Sequence, residues 1–353
     1  RDMAKNKALV IGGLGVIGRN LINHLSTLED WDITAVSRRE PDQEMAKKAK
    51  YISCDLLDMK QTENKFSSLS DITHVFCCAL HGGIDATNTE PNKLLVANPV
   101  EAISNISKDL QRVVLQEGSK AYGRQLGPFK TPAFESDSRH MPPNLYYDQE
   151  DFLIEFQKGK NWTWSVLRPE AVCGFAVGNP MNLIMCFGVY AAISKELGMP
   201  LKYPGEIGGF EAINQVTDSG LLARMTLWAA TSQNAGNEIF NITNGDGFRY
   251  INVWSDWAAH FGMEVGQPQR IISSDVMPDK GRIWEQIVEK NNLLRLPYDK
   301  TAGWPYFDFN MDTSWDVLMS DAKRIDRGFT EIVDTEEMFL SLFSEFRVRK
   351  VLP

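Results

Sequence analysis

The chain has few cysteines, no long apolar run and no excess of positive charge, and each absence removes a class of protein. Five cysteines occur in 353 residues. Cys54, Cys77, Cys78, Cys173 and Cys186 show no zinc-finger spacing, and four of them lie in or near apolar strand-like runs. Buried free thiols in a reducing compartment are the expectation, with no resident metal. No apolar stretch approaches the roughly 18–20 residues needed to cross a bilayer. The first residues, Arg1-Asp2-Met3-Ala4-Lys5, carry no signal-peptide segment, so a cytoplasmic protein is expected. The net charge is −9, from 37 basic and 46 acidic residues. Nucleic acid and anionic membranes repel an acidic surface and are not expected partners. Neither an internal repeat nor a low-complexity tract is present.

What is there begins with a regular alternation of elements. Residues 8–11 read as a buried strand and 15–26 as a helix with Ile17, Leu21 and Leu25 on one face. Further strands are expected at 32–37, 50–54, 73–79, 112–116 and 163–167, with helices near 92–107 and 147–157. The run at 73–79 lacks polar alternation, as expected of a strand covered on both faces. Strands separated by helix-length segments imply an α/β Rossmann fold, a doubly wound parallel sheet. Past Arg168 the alternation stops, and 175–210 is rich in Met, Phe, Gly and Pro. A strand is expected at 238–243 and helices at 250–261 and 335–346. The expected organisation is a Rossmann domain over 5–174 and a smaller C-terminal substrate-binding lobe over 175–353, packed on it and partly interleaved with it.

Between the first strand and first helix stands Ile11-Gly12-Gly13-Leu14-Gly15-Val16-Ile17-Gly18. It reads as GxxGxxG from Gly12 or as GxGxxG from Gly13. Such glycines permit a tight turn, close approach to a pyrophosphate and tight helix–strand packing, and the helix start supplies free amides. The glycines alone are a common pattern; their place after an opening apolar strand points to a dinucleotide. A site for NAD would put Asp or Glu at the end of the second strand, where this chain has Ser37-Arg38-Arg39. Two guanidinium groups suit the 2′-phosphate of NADP, and they also fit a solvated surface pair. Asp55, in Cys54-Asp55-Leu56-Leu57-Asp58, is placed either to accept from an adenine amino group or to cap a helix.

Extended short-chain dehydrogenases carry a Ser or Thr after the fifth strand and a Tyr-x-x-x-Lys pair on the next helix. Here Asn144-Leu145-Tyr146-Tyr147-Asp148-Gln149-Glu150-Asp151 supplies tyrosines, but acids stand where the lysine belongs. The segment is similar to the Asn-Phe-Tyr-Tyr-x-x-Glu-Asp signature of the progesterone 5β-reductase and iridoid synthase family. That family takes its lysine from a Gln-x-Gly-x-Lys-x-Tyr segment, matched here by Gln116-Glu117-Gly118-Ser119-Lys120-Ala121-Tyr122, with Gly118 in place of the usual Ser. Gly127-Pro128-Phe129, Trp164–Pro169, Asn241–Asp246 and Lys350–Pro353 resemble further landmarks of the same family, so the likeness runs nearly end to end.

The resemblance implies an NADPH-dependent reductase of the C=C bond of a small apolar enone or enal. Tyr146 would be catalytic, stabilising the enolate oxygen, with Lys120 as its partner lowering the phenol pKa. Leu14, Gly15, Val16 and Ile17, with Gly12 and Gly18, would meet the pyrophosphate, and Arg38 and Arg39 the 2′-phosphate. Asp55 and Leu56 would hold the adenine, and Ala79, Leu80 and Gln116 the ribose and nicotinamide path. Val172 would bind the carboxamide through its backbone, while Asn179, Pro180 and Met181 close over the phosphates. Bare of the resemblance, the residues favour a buried aromatic with a satisfied hydroxyl for Tyr146 and a solvated loop cation for Lys120. Two features depart from the plant pattern: His81-Gly82-Gly83 after the fourth strand, and an insertion around Gly123–Leu126. Both leave the substrate open. Met181, Met185, Phe187 and Phe210 fit either an apolar pocket or plain core. The helix bearing Tyr147, Phe152 and Phe156 is of a kind that pairs in dimers, so a homodimer is expected. A carbonyl reductase, a sugar-nucleotide epimerase or dehydratase, and a non-catalytic NADP-binding scaffold or sensor remain alternatives.

Overall fold

A computed structural model describes residues 5–353. Its strands are β1 (Asn6–Ile11), β2 (Trp31–Val36), β3 (Lys50–Ile52), β4 (His74–Cys77), β5 (Arg112–Gln116), β6 (Thr163–Pro169), β7 (Val172–Cys173), β8 (Thr217–Asp218) and β9 (Glu238–Ile242). Seven of them form one parallel sheet in the order β3-β2-β1-β4-β5-β6-β9, and β7 pairs with β8 separately. The order reverses between β1 and β4, so the chain diverges there and leaves a crevice beyond the carboxyl ends of both strands.

Both faces of the sheet are covered, which is why its central strands read as unbroken apolar runs. Along β1, Ala8 and Val10 pack with the helices Val16–Leu25 and Ser219–Thr231, while Leu9 and Ile11 face the opposite way. That second face is covered by the helices Met59–Phe66, Thr89–Ile106 and Leu145–Gln157, through Phe66, Val100, Ile103 and Leu153. The expected strands all form, with ends differing by no more than two residues, as where β3 stops at Ile52 instead of 54. The run expected as a strand over 73–79 leaves the sheet after Cys77, so Cys78 and Ala79 turn into the crevice.

The C-terminal half contributes to both layers. The helix Ser219–Thr231 lies against Val16–Leu25, and β9 adds the sheet's last strand beside β6. The remainder packs around an aromatic core in which Phe187 meets Trp257 with ring centroids 4.7 Å apart and Phe307 at 5.2 Å. The irregular-looking stretch 175–210 holds the helix Leu183–Glu196, in which every residue from Leu183 to Ala191 is buried. A helix wrapped by protein on all sides has no polar face, so period-3.6 patterning could not reveal it. Met185, Phe187 and Phe210, two-way expectations from the sequence, belong to this core. On the helix Leu145–Gln157, Tyr147 is buried within its own chain, and Phe152 and Phe156 stack on each other beside Trp162. Among the described residues no helix is long and apolar enough to cross a membrane.

Candidate active site

The crevice opens into a cleft of about 600 Å³ that runs from the glycine turn to the C-terminal lobe. Gly12 holds φ +81°, and a Cβ there would stand 2.9 Å from the Ala79 backbone nitrogen, so the turn requires glycine. The helix Val16–Leu25 starts at Gly15 with no capping side chain and no acid in its first turn. Its leading amides are left for an anion, and the helix dipole favours one. Leu14, Gly15, Val16 and Ile17 line the cleft beside Gly12. Gly18 does not. A Cβ on it would lie 2.1 Å from the Gly12 carbonyl oxygen, so it lets the helix seat on the turn rather than meeting a ligand.

At the end of β2, Arg38 and Arg39 border the cleft and are exposed. Arg38 makes no ion pair or side-chain hydrogen bond with any described residue, and among these residues the Arg39 guanidinium donates only to the Val177 carbonyl, at 3.1 Å. Two of the nearby acids are already engaged. Buried Arg19 holds Asp42 at 2.6 Å and Glu44 at 3.2 Å, and Lys48 and Arg349 also pair with Glu44. Partial loss of solvent at the cleft wall, then the positive charges of Arg19 and Arg38, hold Arg39 below the usual arginine range. Three guanidinium groups with their acids occupied make a local positive field suited to a phosphate dianion. The two carboxylates after β3 divide their work: Asp58 caps the helix Met59–Phe66, while Asp55 lines the cleft with Leu56.

Farther along, Ala79, Leu80, Val172, Asn179 and Met181 all border the cleft. Gln116 and Pro180 do not, contrary to the sequence expectation. The side chain at Gln116 is turned away to donate to Thr226 Oγ1 at 2.9 Å, and the Pro180 carbonyl accepts from the Gly303 amide at 2.7 Å.

The two tyrosines of the signature are sharply different. Tyr147 is buried, donating to the Ala121 carbonyl at 2.7 Å and accepting from the His140 amide at 2.9 Å. Tyr146 borders the cleft, and its hydroxyl hydrogen-bonds no described residue. Asn144 starts its helix by accepting from the Tyr146 amide at 3.0 Å. A Cβ on Gly118 would come 3.1 Å from the Tyr146 hydroxyl, so the usual serine would crowd the phenol. Burial, reinforced by Glu117 and Glu170, pushes the phenol well above its ordinary pKa. It is therefore a neutral hydrogen-bond donor across the physiological range.

Lys120 also borders the cleft, but its ammonium donates to the Ile84 carbonyl and lies 5.2 Å from the Phe309 ring centroid. It makes no hydrogen bond to Tyr146, and the expected lowering of the phenol pKa by this cation is not what the surroundings produce. Burial and the neighbouring Arg124 instead bring Lys120 down to about 8.

Glu150 stands four residues after Tyr146, where a lysine would complete the ordinary short-chain dehydrogenase pair. It accepts from buried Arg168 at 2.8 Å, and Arg168 also binds Glu117 at 2.9 Å. Burial, then the second carboxylate, holds Glu117 above the usual carboxylate range against the pull of Arg168. The triad joins the ends of β5 and β6 to the helix carrying Tyr146. Sequence reasoning missed the remaining wall: Arg124, Glu170, Tyr306, Phe309 and Asn310. The last three come from the helix Trp304–Met311, far along the chain, and no local pattern marks them. Among the described residues no group of three or more His, Cys, Asp or Glu is placed to hold a metal.

Fold and cleft together define a Rossmann-fold α/β protein with a long cleft at the switch point of its parallel sheet. Residues 8–353 match the PRISE-like Rossmann-fold domain family, and the chain belongs to that family. It is 33% identical over 365 residues to an (S)-8-oxocitronellyl enol synthase of Nepeta cataria, covering 98% of this chain and 93% of the relative. It is 31% identical over 367 residues to a 3-oxo-Delta(4,5)-steroid 5-beta-reductase of Arabidopsis thaliana, with the same coverage. Among solved structures, UDP-glucose 4-epimerase of Thermotoga maritima with UDP-glucose shares the fold at TM-score 0.70 and 18% identity, covering 97% of this chain and 99% of that one. The Thermus thermophilus UDP-glucose 4-epimerase complex with NAD has TM-score 0.67 and 18% identity, with 97% and 99% covered.

Replacing Arg168 with Met would leave Glu117 buried without its cation and Glu150 with Arg139 alone. The expected cost is about 3–5 kcal/mol of folding stability, read from urea unfolding, with partial recovery when Glu150→Gln is added. A loss under about 1 kcal/mol would show that the triad does not hold these elements together.

Proposed function

We propose that this enzyme uses NADPH to reduce the C=C bond of an α,β-unsaturated carbonyl compound. The observation that carries the reading is the Tyr146 hydroxyl, open to the cleft, without a partner and kept protonated by its surroundings. The relatives' names support the reaction class. A 3-oxo-Delta(4,5)-steroid is an enone whose β-carbon is the position the 5-beta-reductase reduces, and an enol synthase is named for an enol product.

The residues fit the cofactor. The glycine turn and uncapped helix start suit a pyrophosphate, and the guanidinium groups of Arg38 and Arg39, with no described acid paired to either, suit a 2′-phosphate. Bound NADPH would supply the hydride that adds to the substrate's β-carbon. Negative charge then collects on the carbonyl oxygen, and the Tyr146 phenol donates a hydrogen bond to it. Because that charge is greater in the transition state than in the ground state, the bond lowers the barrier rather than merely tightening binding. The α-carbon takes up a proton from solvent to give the saturated carbonyl. Lys120 supplies positive charge at the same end of the cleft, with the Ile84 carbonyl and the Phe309 ring fixing its ammonium.

Three measurements test this reading. Tyr146→Phe should lower kcat for an enone about 100- to 1,000-fold, the range for losing one oxyanion donor, while NADPH affinity stays within about twofold. An unchanged kcat would remove Tyr146 from the chemistry. Joint replacement of Arg38 and Arg39 by Ala should weaken NADPH by at least about tenfold and leave NADH unaffected, as titration of each cofactor would show. The Lys120 ammonium exists below its pKa of about 8 and is lost above it. The kcat/KM for the enone should therefore fall as pH rises through that value. Lys120→Arg should move the fall upward, since guanidinium keeps its proton. A profile that Lys120→Arg does not move would show that this charge is not used.

A further inference from the structure

We propose that Arg124 selects the substrate: the enone this enzyme reduces carries a carboxylate, and the Arg124 guanidinium binds it. The inference rests on the enone-reductase reading and adds the chemistry of the substrate's far end.

Arg124 lies in the inserted turn Arg124–Leu126, directly after Gly123. Gly123 has φ +77°, and a Cβ there would press to 2.7 Å from the His140 ring, so the chain turns sharply and sends Arg124 inward. The arginine is only 2% exposed, yet it borders the cleft beside Lys120 and Tyr146. Its guanidinium carbon lies 4.3 Å from the centroid of the Phe309 ring, which also borders the cleft. Nη2 donates to Asn310 Oδ1 at 3.3 Å. Nε is 3.3 Å from Glu170 Oε1, without hydrogen-bond geometry, and neither Nε nor Nη1 has a hydrogen-bond partner among the described residues. Two idle donor nitrogens on a buried guanidinium are costly unless a ligand's oxygens take up their N–H groups.

The local charge says which oxygens. Lys120 and Arg124 are two cations on this wall, and Glu170, which also has one unpartnered oxygen, is the carboxylate nearest to them. Glu117 borders the cleft too, but Arg168 engages it. Asp85 is exposed. One further negative charge balances the set, and a planar carboxylate matches the guanidinium donors. A wholly apolar substrate would leave the donors unsatisfied.

The test compares an aliphatic enone ending in a carboxylate with its methyl ester, and the two saturated keto analogues as binding probes on NADP-loaded enzyme. Wild-type enzyme should turn over and bind the acid members at least about tenfold better than the esters, as expected for a hydrogen-bonded charge. Arg124→Gln should bring that acid-to-ester ratio close to one. Ester turnover by the variant reports its folding within the same assay. No acid preference in the wild type overturns the proposal. So does an Arg124→Gln enzyme that keeps the preference or loses acid and ester equally. If no enone is reduced but the keto acid still binds in an Arg124-dependent way, the substrate class stands and the enone-reductase reading falls.

Discussion

One buried guanidinium holds the Tyr146 end of the cleft together. Arg168, at the end of β6, binds Glu117 beyond β5 and Glu150 on the helix carrying Tyr146, and its guanidinium carbon lies 5.0 Å from the Tyr122 ring centroid. Residues four apart on a helix lie above one another, so pinning Glu150 also pins Tyr146. Buried ion networks are seldom more stable than apolar packing of similar volume. What this one contributes is position: it sets the phenol against Gly118, where even a methyl group would stand 3.1 Å from the hydroxyl.

The same logic operates at the other end of the cleft. Buried Arg19 gathers Asp42 and Glu44, which would otherwise neutralise the rim, and leaves Arg38 and Arg39 unpaired with acids. An acidic chain thereby keeps a cationic mouth. Each end relies on a buried arginine that takes carboxylates out of play, so the exposed or cleft-facing groups keep their chemistry. Lys120 and Arg124, packed against the common Phe309 ring, extend the positive charge inward toward the lobe.

Much of this was legible along the chain because it is local. The glycine turn, the arginine pair after β2 and the double-tyrosine signature are each short segments whose chemistry follows from neighbouring residues. Reading failed where residues answer to distant neighbours. Gln116 and Pro180 looked like cleft residues from their place in the chain, yet the side chain of one and the carbonyl of the other are committed to Thr226 and Gly303. Met185 and Phe187 looked equally like pocket or core, and only the closing of helices around Leu183–Glu196 makes them core.

By itself the sequence determined the parallel Rossmann sheet, the dinucleotide-type turn and the identity of the tyrosine and lysine candidates. Apolar period, glycine placement and motif spacing are all properties of contiguous residues. Only the tertiary structure decided which tyrosine faces the cleft, that Lys120 rests on Ile84 rather than on the phenol, and that Tyr306, Phe309 and Arg124 complete the wall. Those outcomes depend on burial and on partners 26 to 186 residues away, and burial is a property that no local window of sequence contains.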